Sequence, residues 1–164
     1  MIEITIDGYA QPLKAVQAHI VPPLPVGMRQ RYHAAVYKPQ DVRKWQNFAK
    51  QEASAQMKGR PPYSGGLTVV VHVFLAVPMS LSKKKRQMAL VGALRPVTRP
   101  DIDNFIKVIF DSLTGIVWLD DSQVVELHAA KMYSDKPQVR VMVEETMALA
   151  EPQREQPTLF EGKA

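Results

Sequence analysis

A chain of 164 residues, 46% hydrophobic and 23% charged, suits one soluble domain with a substantial core. It has no cysteine, which excludes disulfides and thiolate zinc sites, and its four histidines, His19, His33, His72 and His128, lack metal-ligand spacing such as HExxH. The net charge of +5 is unevenly spread: residues 1–100 carry 15 Lys/Arg against 4 Asp/Glu, and residues 101–164 carry 6 against 12.

In chain order, "MIEITID" alternates Ile2, Ile4 and Ile6 and predicts a half-buried first strand. Residues 8–28 are proline-rich and predict a long loop, and "HAAVYKP" predicts a short strand. Val42, Trp45, Phe48, Ala49 and Ala53 recur at helical spacing behind Asp41, which predicts a helix over residues 40–57. "LTVVVHVFLAV" is β-branched and nearly continuous, so a central strand covered on both faces is expected, with His72 a satisfied buried histidine. A basic connection over residues 78–99 follows, with a short helix around residues 84–91.

Phe105, Ile106, Ile109, Phe110 and Leu113 form an apolar stripe over residues 104–114, with Asp103 as N-cap and Gly115 as the residue past the end. "QVVELHAAKMYS", "DKP" and "QVRVMVEE" predict a hairpin. Trp45, Phe48 and Trp118 are expected in the core. Residues 147–164 are polar and proline-bearing and are expected to be a disordered tail, leaving a domain over residues 1–146. The expected fold class is α+β, a mostly antiparallel sheet with two main helices packed on it. No apolar run is of membrane-spanning length and the first residues lack a signal-peptide layout, so a cytoplasmic protein is expected.

Five aspartates fall within residues 101–121, in "RPDIDNFIKVIFDSLTGIVWLDDSQVV". Carboxylates gathered against an apolar wall repel one another unless they face water or a cation holds them together. In extended backbone Asp101 and Asp103 point the same way, about 7 Å apart. Lys107 and Asp111 continue a polar stripe at helical spacing. Asp120 and Asp121 come after the chain has turned back, a return able to bring one of them beside the first pair. Oxygen ligands without Cys indicate a hard cation, Mg²⁺ or Mn²⁺. No acidic residue lies between Glu52 and Asp101, where Lys83, Lys84, Lys85, Arg86, Arg95 and Arg99 fall. With Lys14, Arg29 and Arg31 they make a basic surface suited to a polyanion, and Tyr32 and Tyr37 would add an aromatic strip. A hard cation beside such a surface suits phosphodiester hydrolysis, with Lys107 placed to offset charge growing on phosphate.

Asp-x-Asp-Asn, a Lys four residues after the second Asp, an Asp-Ser-Leu helix end and a Trp-Leu-Asp-Asp-Ser-Gln segment over residues 100–131 closely resemble the central motif of the RusA family of Holliday-junction resolvases of bacteria and prophages. Weaker likeness reaches Gly8, Pro12 and Lys14 and "VYKPQDVRKWQ". The resemblance implies a bacterial or phage-encoded, Mg²⁺-dependent endodeoxyribonuclease, with Mn²⁺ a possible substitute, acting as a homodimer that cuts two strands of branched DNA symmetrically. It implies Asp101, Asp103 and Asp121 as metal ligands and Lys107 as the essential lysine, with Asp111 and Asp120 supporting. The founding branch of the family has several arginines before its first aspartate, where this chain has "RPVTRP". The segment over residues 8–31 is also longer and less basic than the family's usual start. Two other readings compete: a metal-dependent nuclease on other branched DNA, and a non-catalytic DNA-binding partner protein. Finally, "QPTLF", with Gln156, Leu159 and Phe160, looks like the pentapeptide by which bacterial replication and repair proteins dock onto the sliding clamp, apart from Pro157.

Overall fold

The computed structural model describes residues 1–8, 10 and 40–146. Lys14, Arg29, Arg31, Tyr32, Tyr37, the strand expected over residues 33–39 and the tail with Gln156, Leu159 and Phe160 lie outside the described residues. Strand β1 (Ile2–Asp7) is followed by helix α1 (Gln40–Met57), strand β2 (Leu67–Ala76) and helices α2 (Lys83–Leu90) and α3 (Ile102–Leu113). A short 3₁₀ turn (Asp121–Gln123) then leads into β3 (Val124–Ser134) and β4 (Gln138–Glu145). The architecture is α+β, with a third helix, α2, beside the two main ones.

The sheet order is β1-β4-β2-β3, with β1–β4 and β4–β2 antiparallel and β2–β3 parallel. This corrects the expected hairpin. Alternation identifies β3 and β4 as strands, but it does not say which strand each one pairs with. β2, whose Val69, Val71 and Val73 are fully buried, sits between them. A parallel neighbour needs a long crossover, supplied here by residues 77–123 with α2 and α3.

Three rows of side chains cross the sheet on one face: Ile2–Val143–Val69–Leu127, Ile4–Val141–Val71–Ala129 and Ile6–Val139–Val73–Lys131. α1 and α3 pack on this face, joining Val42, Trp45, Ala49 and Ala53 to Phe105, Val108, Ile109 and Leu113 in one core. Phe48, expected inside, is 40% exposed, because the buried stripe of α1 runs through Val42, Trp45, Gln46 and Ala49. On the opposite face β2 is only half-buried, so the expectation of cover on both sides fails as well. His72 lies there, edge-on to Phe74, over whose ring Arg140 also rests. The outer backbone of β1 is capped by α1: Gln56 Nε2 donates to Thr5 O, and Thr5 N donates to Gln56 Oε1. Among the described residues β3 has no strand on its outer side.

Candidate functional site

α3 is positioned by its apolar stripe, which leaves its polar side and both ends at the surface. Its N-cap is Asp101, two residues earlier than expected, in extended backbone and with no capping hydrogen bond from its side chain. Capping normally occupies an N-cap carboxylate, so this exposed one is left open to other ligands. Asp103 lies in the first turn, where the helix dipole favours an anion. Lys107 Nζ donates to Asp103 Oδ2 at 3.1 Å, both side chains well exposed. That bond, foremost among several contributions, holds the Asp103 carboxyl below its usual pKa. Asp111, farther along, takes a long hydrogen bond of 3.4 Å from Gln46 of α1.

The loop leading to Asp101 is pinned from β3. Lys131 Nζ donates to Thr98 O and Pro100 O, each at 2.8 Å, bracketing Arg99 just ahead of the N-cap. Arg95 and Arg99 in this loop are exposed, as are Lys83, Lys84, Lys85 and Arg86 on α2, which packs against β3. The first turn of α2 holds no acidic residue. Three lysines at the positive end of a helix dipole are unfavourable alone and become favourable against an anion.

Past Gly115, whose φ of +79° suits only glycine readily, the chain turns back and buries Trp118 completely. Trp118 Nε1 donates to Asp121 Oδ1 at 2.8 Å, and the Thr114 hydroxyl contacts the same oxygen. Asp121 Oδ2 has no hydrogen-bond partner among the described residues. Asp120 is differently employed. Its Oδ1 accepts from Ser122 N, in a capping box with Gln123, and the contacts with Ser122 lower its pKa. Gln123 Oε1 accepts from Leu119 N and Asp120 N, while its Nε2 donates to Tyr63 O and Gly65 O. One amide thus shapes the Asp-Asp turn and fastens it to the loop before β2.

Asp101, Asp103 and Lys107 are therefore brought together, and Asp121 is not among them. Asp101 and Thr114 flank the whole of α3, about 20 Å apart at 1.5 Å per residue. The Asp121 carboxylate sits at the Thr114 end. β3 gives a second ruler: Val124, just after Asp121, and Lys131, beside Pro100, are about 23 Å apart along the strand. Within one chain the return stops at the C-terminal end of α3. Among the described residues no three Asp, Glu or His side chains lie close enough to hold an ion.

Trp118, Thr114, Gln123 and Lys131 carry contacts that spacing did not reveal. The D-x-x-Q of a capping box was the available signal for Gln123. Trp118, expected as core, is core and also a hydrogen-bond donor to Asp121.

The family model for endodeoxyribonuclease RusA matches residues 22–144. The uncharacterized protein YqaN of Bacillus subtilis strain 168 is 39% identical over 112 residues, a stretch covering 66% of this chain and 79% of YqaN.

Proposed function

This chain belongs to the RusA endodeoxyribonuclease family, and from that premise we propose that it resolves four-way DNA junctions as a homodimer, with Asp101 and Asp103 of one subunit and Asp121 of the other holding Mg²⁺ and Lys107 assisting at the phosphate. The observation that carries the reading is the exposed Asp101/Asp103 pair with Lys107 hydrogen-bonded to it, at the start of α3, inside the segment that matches the family. The donor set suits a hard divalent cation, Mg²⁺ or Mn²⁺: all oxygen, with Asp101 unspent on capping and Asp121 Oδ2 unpartnered among the described residues. When bound, such an ion polarises a phosphoryl oxygen and helps to ionise water.

The protein's own groups do the rest. Hydrogen bonding from Lys107 keeps Asp103 anionic, and the Lys107 ammonium, fixed 3.1 Å from it, meets the negative charge that grows on the phosphate during attack. Trp118 and Thr114 fix the rotamer of Asp121 and turn its second oxygen away from themselves. Lys131 holds the carbonyls of Thr98 and Pro100 and so sets where Asp101 starts the helix. Lys83, Lys84, Lys85 and Arg86, with Arg95 and Arg99 on the adjoining loop, contact backbone phosphates without reading sequence. Lys14, Arg29 and Arg31 are assigned the same role from sequence alone. Selectivity for a junction then rests on shape and deformability, and a two-fold dimer matches a substrate with two-fold symmetry. In this reading Asp120 serves the turn, not the chemistry. The tail pentapeptide with Gln156, Leu159 and Phe160 is assigned to docking on the sliding clamp. No helix among the described residues is long and apolar enough to cross a membrane.

The test is Asp103→Asn against a mobile four-way junction in Mg²⁺. Cleavage is lost while binding persists or tightens, since a negative group near phosphate is gone. Cleavage at the wild-type rate would remove Asp103 from the chemistry and the reading with it.

A further inference from the structure

Half of the exposed large apolar side chains among the described residues fall between Met79 and Val97: Met79, Met88, Leu90, Val91 and Val97. The same stretch carries Lys83, Lys84, Lys85, Arg86 and Arg95 and no acidic residue. Apolar groups left in water are unfavourable, and a cluster of them marks a contact surface. A protein partner fits this surface poorly, because charge, and lysine above all, is depleted at the centre of such interfaces. DNA suits both components. Its phosphates answer the cations, and its base faces answer the apolar groups wherever stacking is interrupted.

Val97 is the sharpest case, at 90% exposed. Its exposure is not that of a loose loop. Pro96 before it is buried, and the carbonyl of Thr98 after it is held by Lys131. Upstream, the end of α2 is closed by Gly92 at a φ of +77° and by Leu94 N donating to Met88 O. Val91, in that turn, is 73% exposed. Side chains held out on an ordered backbone lose little further freedom on contact, which favours binding. Val97 precedes Asp101 by four residues, a chain length of at most about 14 Å. At about 3.4 Å per base step, that is roughly four steps or fewer from a phosphate held at Asp101. Arg95 and Arg99 stand two residues away on either side, placed to hold the backbone while Val97 meets the bases.

We propose that Val97, backed by Val91, is an apolar wedge against the open faces of the bases at the branch point, within about four base steps of the cut. This rests on the reading above as a nuclease of branched DNA and adds the contact that tells a branch from a duplex. In a duplex each base face is covered by its neighbours, so a wedge must first break a stack. At a branch point stacking is already interrupted, and the same side chain gains its contact without that cost. The flanking cations meet phosphate equally in both DNAs, so discrimination falls to the wedge.

The test uses the full-length chain in chelator, so that binding is read apart from cutting. Four-way junctions carry 2-aminopurine, which brightens when unstacked, either at the branch point or about ten base pairs along one arm. Binding brightens the branch-point probe and leaves the arm probe unchanged. Because Val97 is exposed, replacing it leaves the domain folded. Val97→Ser loses the brightening and binds the junction roughly tenfold more weakly, the loss expected for one uncovered valine, while duplex affinity holds. Val97→Leu keeps both signals, and Val91→Ser/Val97→Ser binds junction and duplex nearly alike. A Val97→Ser chain that brightens the probe and holds the junction as wild type does overturns the wedge. A fall in its oligomeric state by sedimentation velocity also overturns it, and gives the patch to a second copy of the chain. A wild-type chain with no preference for junction over duplex overturns the reading as a branched-DNA nuclease, and the wedge with it.

Discussion

Replacing Trp118 by phenylalanine separates the two tasks this residue performs. Its ring is wholly buried and meets Phe110 edge-on at 5.2 Å, a contact a phenyl ring partly keeps. Its N–H donates to the Asp121 carboxylate at 2.8 Å, a contact a phenyl ring cannot make. A hydrogen bond to a charged group contributes about 1.5–3 kcal/mol, and the lower figure applies because Asp121 is exposed. Truncating a buried indole to alanine costs about 3–5 kcal/mol, so the smaller change to phenyl costs roughly 1–2 kcal/mol. The sum is about 3 kcal/mol. Against a total stability of about 5–15 kcal/mol the protein still folds, with Tm lowered by about 6–12 °C for a domain of this size. Thermal denaturation followed by circular dichroism reads that loss. Junction cleavage well below the transition reads the second effect, a fall in rate as Asp121 loses its anchor. A variant that melts within about 2 °C of wild type and cuts at full rate would refute the reasoning.

Three further outcomes are expected. Lys131→Ala frees the carbonyls of Thr98 and Pro100, so cleavage falls at saturating DNA while junction affinity, measured by gel shift, changes little; a pure binding defect would reassign the lysine to phosphate contact. Replacing Lys83, Lys84 and Lys85 together by alanine weakens binding to all DNAs alike and lowers the slope of log affinity against log salt by up to about 3, at about 0.9 per phosphate contact. An unchanged slope would place DNA elsewhere. Phe160→Ala abolishes recovery of the chain by immobilised sliding clamp, and equal recovery with wild type rejects the docking role of Gln156, Leu159 and Phe160.

Much of the frame was legible. The stripe of Val42, Trp45, Ala49 and Ala53 behind Asp41 bounds α1 at residues 40–57, as built. The apolar stripe of α3 and the glycine after it place that helix to within two residues of its start. Pairing was not legible, because alternation in "QVVELHAAKMYS" and "QVRVMVEE" records which side chains turn inward and is silent about neighbours. The insertion of β2 between them depends on a crossover of more than forty residues. For the candidate site, residue types singled out the stretch over residues 101–121, but the separation of its two acidic ends follows from helix length. Twelve helical residues between Asp101 and Thr114 are a rigid spacer, and the return through Trp118 is too short to cover it. The supporting bonds from Trp118, Gln123 and Lys131 depend on tertiary approach and leave only faint local signals.

The central claim, metal-dependent cutting of branched DNA by the aspartates flanking α3, is tested most directly by one cleavage panel. A four-way junction, a flap, a duplex and a single strand of matched sequence are incubated with the wild-type protein in Mg²⁺, in Mn²⁺ or in chelator, and the cut positions are mapped. Paired, symmetric cuts in the junction with either metal, none in chelator and little cutting of the duplex or single strand are the expected result. Equal cutting in chelator, or no preference for the junction over the duplex, would contradict it.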